Sequence, residues 1–222
     1  MEVYALLFAN ELGCVRRLTD EHARCYYIEC MTSEKRHPMQ TEETSRPQQH
    51  LPASANGKAM DPETLDFMRQ IFGLVRAGDA ERLAGLIQRG MPVNFRNEKG
   101  DSLIMLASYH GHLDTVRLLL GAGADPNVAN DQGQTPLAGV AYKGYEEIAA
   151  LLLAHGAAVD GNSPDGKTPF MMAAMFNRVA ILAMLSENGA RRDAVDSRGM
   201  TATSLAAKLE ARDALAWLES HA

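Results

Sequence analysis

Glycine recurs in this chain with a period of 33 residues. Gly100, Gly133, Gly166 and Gly199 form one series, and Gly90, Gly123, Gly156 and Gly189 form a second. Gly78, Gly111 and Gly144 form a third, which continues with Asn177. Asparagine is the residue that best replaces glycine in a left-handed helix cap. Three series on one period mean one supersecondary unit used repeatedly. Such a unit cannot bury its apolar face alone, so neighbours must stack to make a continuous core.

Aligned on these glycines, GDSLIMLASYHGHLDTVRLLLGAGADPN, GQTPLAGVAYKGYEEIAALLLAHGAAVD and GKTPFMMAAMFNRVAILAMLSENGARRD superpose without a gap. Each reads as two short helices and an extended loop. Thr135-Pro136 and Thr168-Pro169 open the first helix, the leucine-rich run forms the second, and Gly-Ala ends it. The period and the Thr-Pro opening resemble the ankyrin-repeat family, over about three-quarters of the chain. The resemblance implies an all-α repeat solenoid with loop or β-hairpin fingers. Five units follow from the register: an N-terminal cap at 61–96, regular units at 97–129, 130–162 and 163–195, and a C-terminal cap at 196–222. The family's histidine after Thr-Pro-Leu is Met105, Ala138, Met171 and Ser204 here, so its hydrogen bond to the threonine is lost. In the last unit Glu210 stands where the turn glycine belongs, and Thr203 replaces an apolar anchor.

Upstream, residues 32–60 are rich in Pro, Ser, Thr, Gln and Glu and bury too little to offset chain entropy, which predicts a flexible extension over 1–60. Within it Phe8, Leu12, Val15 and Leu18 recur at helical spacing and allow a short helix over 3–18. Asp61-Pro62-Glu63 is a strong helix start, with a capping carboxylate, a first-turn proline and an acid facing the dipole. Met60 directly precedes it, so a start of translation there is expected, with 1–59 as an extension.

Composition narrows the function. The 222 residues carry 28 acidic and 22 basic side chains, a balance that disfavours nucleic-acid binding. The longest apolar runs, such as Ile148–Ala154 and Val179–Leu185, are far short of the roughly 18–20 residues that span a bilayer. Three cysteines do not make a disulfide scaffold, and no basic region precedes the short apolar stretch Val3–Ala9, so a reduced, cytoplasmic setting is expected.

Gly161-Asn-Ser-Pro-Asp-Gly166-Lys167-Thr168 satisfies the phosphate-binding pattern G-x-x-x-x-G-K-[ST]. That pattern works between a buried strand and a helix, whereas AALLLAHGAAVD precedes it here, and the repeat already accounts for Gly166 and Thr168. Cys14, Cys25, Cys30, His22 and His37 gather in the extension at spacings too wide for zinc knuckles. Metal or redox sensing there, and nucleotide binding at Gly161–Thr168, are the two competing readings. His110 and His112 are two apart and, on a helix, point in different directions. His155 suits a helix C-terminus. No nucleophile has a neighbouring base, and no catalytic residue, metal ligand or cofactor is assigned. The uninterrupted period leaves no long loop in which to build an active site.

The resemblance implies a concave face made of loop tips and first-helix ends. Carried onto this register, its partner-binding residues are Lys99, Asp101, Tyr109, His110, Gln132, Gln134, Tyr142, Lys143, Lys167, Met175, Phe176 and Arg198. Glu98, Asp131, Pro164, Asp165, Ser197, Met200, Lys208 and Leu209 complete the face. Tyr109, Tyr142 and Met175 share one repeat position, with Phe176 beside it, and such residues are enriched in interface cores. Five basic and four acidic residues make the face near neutral, while 61–222 holds 15 basic and 20 acidic residues. A monomeric, non-catalytic adaptor, scaffold or inhibitor follows, binding a protein partner of neutral to mildly acidic character, with no nucleic acid and no membrane.

Overall fold

The computed structural model describes residues 62–221. The cysteine–histidine set and the 3–18 helix lie outside them. Ten helices follow one another in pairs among the described residues. The first pair is α1 (Pro62–Ala77) and α2 (Ala80–Gln88), the second α3 (Leu103–Tyr109) and α4 (Leu113–Gly121). Then come α5 (Pro136–Lys143) with α6 (Glu146–Ala154), α7 (Pro169–Met175) with α8 (Val179–Glu187), and α9 (Ala202–Lys208) with α10 (Arg212–Ser220). First helices contact first helices and second contact second, all along the array. This is an all-α repeat solenoid.

Helices of seven to nine residues are too short to be stable alone, so packing must hold them. Leu103, Ile104, Leu119, Leu137, Leu152, Phe170, Met171, Ile181 and Leu185 are almost wholly buried between pairs. Each contributes about 1.5–3 kcal/mol by leaving water. Ala107, Ala141, Ala173, Ala174 and Ala206 are buried too, and their small side chains let the first helices approach closely.

The first helices after α1 share one cap. Ser102, Thr135, Thr168 and Thr201 each accept a hydrogen bond from the third backbone N–H of the helix, at 3.2–3.3 Å. The second helices α4, α6, α8 and α10 have no side-chain cap; their N-cap residues are His112, Tyr145, Arg178 and Ala211. Three of these instead lie back over the preceding unit's turn. A β-carbon at Gly78 would meet the His112 ring, one at Gly111 the Tyr145 ring, and one at Gly144 the Arg178 side chain. The turn glycine thus meets two demands: a positive φ and a close approach from the next unit.

Asn177 (φ 56°) keeps that left-handed turn, and its side chain accepts from Ala214 N at 2.8 Å and donates to Asp213 at 2.8 Å. The N-cap that follows it is Ala211, with only a methyl group to lie over the turn. Glu210 (φ 54°) also holds the left-handed turn, and α9 and α10 form around it. Thr203, at the apolar anchor position, is exposed, and Ala202 and Leu205 are buried in the same helix.

Among the described residues the structure has no strand, and an isolated antiparallel bridge joins Arg96 to Ser102. Side chains at one repeat position organise the tips instead. Asn97 accepts from the N–H groups of Lys99 and Asp101, Asn130 from Gln132 and Gln134, and Asp196 from Arg198 and Met200. A second position clips unit to unit. Asn94 donates to the Gly123 carbonyl and accepts from Asp125 N, and Asn127 does the same with Gly156 and Ala158. Asp160, which cannot donate, keeps the bond from Arg191 N at 3.0 Å and adds an ion pair with the Arg191 guanidinium at 3.4 Å.

Candidate functional site

The first helices end in a row of aromatic and cationic side chains. Tyr109 closes α3, Tyr142 and Lys143 close α5, and Phe176 is the C-cap of α7. The Lys143 ammonium lies 4.2 Å from the centroid of the Tyr109 ring and 5.5 Å from that of Tyr142. Tyr142 meets Phe176 edge to face at 4.5 Å. Four residues predicted from register are therefore in physical contact across three units, a ring–cation–ring–ring series. Met175, the last residue of α7, is half-buried.

Two expectations need correction. Tyr142 is only 7% exposed, so it backs the face more than it presents a ring to solvent. His110 and His112 do not point apart: their rings stack at 6.0 Å with an interplanar angle of 15°. They are not on one helix, since α3 ends at Tyr109, Gly111 takes φ 79° and α4 starts at Leu113. The His112 Nε2–H donates to the Arg76 carbonyl at 2.8 Å. Partial burial, then the positive charges of His112, Lys143 and Arg76, hold the His110 imidazole below the usual histidine range. Arg76, which stands 33 residues before Tyr109, belongs with these groups, and its register position was the signal for it.

Finger residues are more committed than the sequence suggested. Asp101 accepts hydrogen bonds from Asn97 and Asn130, both at 3.0 Å. Asp131 pairs with Arg96 at 2.8 Å. Lys167, 16% exposed, is ion-paired with Asp165, which also accepts from Ser163. Burial raises the Asp165 pKa, but the hydrogen bonds and charge of Lys167 and the bond from Ser163 outweigh it and leave the carboxyl below its usual range. Gln134 donates its N–H to Asn130 Oδ1 and accepts from the Asn130 amide, and Gln132 Oε1 is buried with no hydrogen-bond partner among the described residues. Lys99 and Arg198 are exposed at the tips.

The phosphate-loop pattern has no phosphate-loop geometry. Helix α6, not a strand, precedes it, Thr168 is buried as the cap of α7, and Lys167 is neutralised. A shallow groove of about 320 Å³ borders it, lined by Asn162, Gly166, Thr168, Arg191 and Val195 among others. Among the described residues no group of three or more His, Cys, Asp or Glu could hold a metal. No helix there is long and apolar enough to cross a membrane.

A family model of ankyrin repeats, in three copies, matches residues 72–163 and 140–222, more than half of the chain. The chain belongs to the ankyrin-repeat family. A Pseudomonas aeruginosa protein described as an ankyrin repeat protein is 61% identical to it over 59 residues, 27% of this chain and 34% of that protein. The chain thus spans about a third of that relative's length. Ankyrin repeats generally mediate protein–protein interaction, and the family is typically non-catalytic.

Proposed function

We propose that this chain is an interaction module, an adaptor, scaffold or inhibitor with no catalytic activity of its own. Its ankyrin repeats, assigned to 61–222, bind a protein partner on the concave face. The observation that carries the reading is the contact series Tyr109–Lys143–Tyr142–Phe176, which runs across three units at the ends of the first helices. Aromatic and methionine side chains fixed against one another present contact area with little entropy left to lose on binding. A monomer acting in the cytoplasm fits the composition.

The test uses the full chain as bait for affinity capture, followed by measured affinities for the partner obtained. Tyr109→Ala combined with Met175→Ala is expected to weaken binding about tenfold or more. His155→Ala, at the end of α6 on the second-helix layer, is expected to leave it unchanged. Equal effects of both changes would refute the assignment of the face. Tyr142 is avoided because its truncation would open a buried cavity.

A further inference from the structure

The row at the first-helix ends is not uniform along its length. Two repeat positions build it, and none of their ten residues is a carboxylate. Over the first three units they supply Arg76, His110 and Lys143; over the last two they supply Met175, Phe176 and Leu209, with Lys208 as the cation of that half. Three of the four acids of the face are engaged by neighbours, while Glu98 is exposed at its finger tip. Asp101 is held by two asparagines, Asp131 by Arg96, and Asp165 by Lys167 and Ser163. Basic residues thus gather over one end of this row and apolar residues over the other.

Helix dipoles alone account for a cation at a helix C-terminus, as with Arg76, Lys143 and Lys208. They do not account for His110, on which basic groups from three other elements act. Arg76 comes from α1, His112 from the N-cap of α4 and Lys143 from α5, with the Tyr109 ring at 5.8 Å. The groups are also fixed in place: His112 by its bond to the Arg76 carbonyl, His110 by stacking on His112, and Lys143 over Tyr109. A preorganised set of basic groups loses little freedom when an anion arrives.

We propose, resting on the docking face argued above, that the segment this face accepts is chemically polarised. A carboxylate-bearing end sits against Arg76, His110 and Lys143, and an apolar end sits against Met175, Phe176 and Leu209. The two ends fix the direction in which the partner lies along the repeats, and a like-charged or reversed segment is rejected. An arriving carboxylate favours the protonated imidazole of His110, so binding takes up a proton and tightens as pH falls through the bound-state pKa of that imidazole towards its lower free-state one.

Selection from a random dodecapeptide display library on the full chain tests this, with affinities of the enriched peptides read by fluorescence anisotropy. Enriched peptides are expected to group Asp and Glu at one end and Leu, Phe, Ile or Met at the other. His110→Glu with Lys143→Glu is expected to weaken them about tenfold or more. Arg76→Glu, at an exposed position, gives an independent loss if circular dichroism shows that the double variant unfolds. Peptides without an acidic end, or acidic peptides that Tyr109→Ala weakens but the charge reversals do not, overturn the polarity and leave the docking face standing. Peptides indifferent to Tyr109→Ala as well, or no enrichment at all, overturn both.

Discussion

The imidazole of His112 lies over Gly78, its Nδ1 2.6 Å from the place a β-carbon on that glycine would take. His112 cannot move aside cheaply, because its other nitrogen bonds the Arg76 carbonyl and its face stacks on His110. Gly90 has a similarly positive φ of 90° and nothing within 4 Å of its virtual β-carbon. Gly90→Ala should therefore cost the left-handed strain alone, about 1–2 kcal/mol. Gly78→Ala should cost at least about 1 kcal/mol more, since strain and overlap add. Urea unfolding of the two variants measures the difference, and equal losses would sink the close-approach argument.

Ser108 and Thr115 are buried, and their hydroxyls have no hydrogen-bond partner among the described residues. At the same repeat positions Ser108 gives way to Ala141 and Ala174, and Thr115 to Ile148 and Ile181. Ser108→Ala and Thr115→Val are each expected to raise stability by about 1 kcal/mol, by removing an unsatisfied polar group without a change of shape. A loss in either would mean that the hydroxyl has a partner.

Asn177 and Glu210 occupy one repeat position and one backbone conformation, yet the change to glycine should act in opposite directions. Glu210→Gly relieves left-handed strain on an exposed residue and should stabilise by about 0.5–1 kcal/mol. Asn177→Gly relieves less strain and gives up the bonds to Ala214 and Asp213, so it should destabilise by about 1 kcal/mol. Thermal unfolding of the pair decides, and effects of one sign would refute the contrast.

Asp165 carries the acid dependence of the fourth finger. Its folded pKa is depressed, so its contribution to stability is complete above the ordinary carboxylate value and is lost as pH falls through the lower folded one. Asp165→Asn is therefore expected to lower stability at neutral pH, with the gap from the parent closing below about pH 4. A gap independent of pH would show that the ion pair with Lys167 contributes nothing through its charge.

The repeat, its helix pairs and the caps Thr135 and Thr168 were legible because each depends on residues within a single 33-residue unit. The register also placed Tyr109, Tyr142, Lys143 and Phe176 on one face. It did not show that Tyr142 is covered, that Lys167 is bound to Asp165 or that His110 stacks on His112. Those facts depend on turn geometry and on side chains from neighbouring units. The series Asn94, Asn127 and Asp160 and the tip series Asn97, Asn130 and Asp196 share the glycines' period, but their bonding became visible only once the loops had their conformation.

The sequence by itself determined the architecture, because periodic glycines, caps and leucine faces force short helix pairs that are stable only when stacked. Tertiary structure decided which register positions act. One glycine position meets His112, Tyr145 or Arg178 in three units, while in a fourth it is an asparagine followed by Ala211. Likewise, Asp131 and Asp165 are paired with Arg96 and Lys167, while Arg76, His110 and Lys143 gather. A residue's charge is written in the chain, but its local field is set by what folding brings beside it.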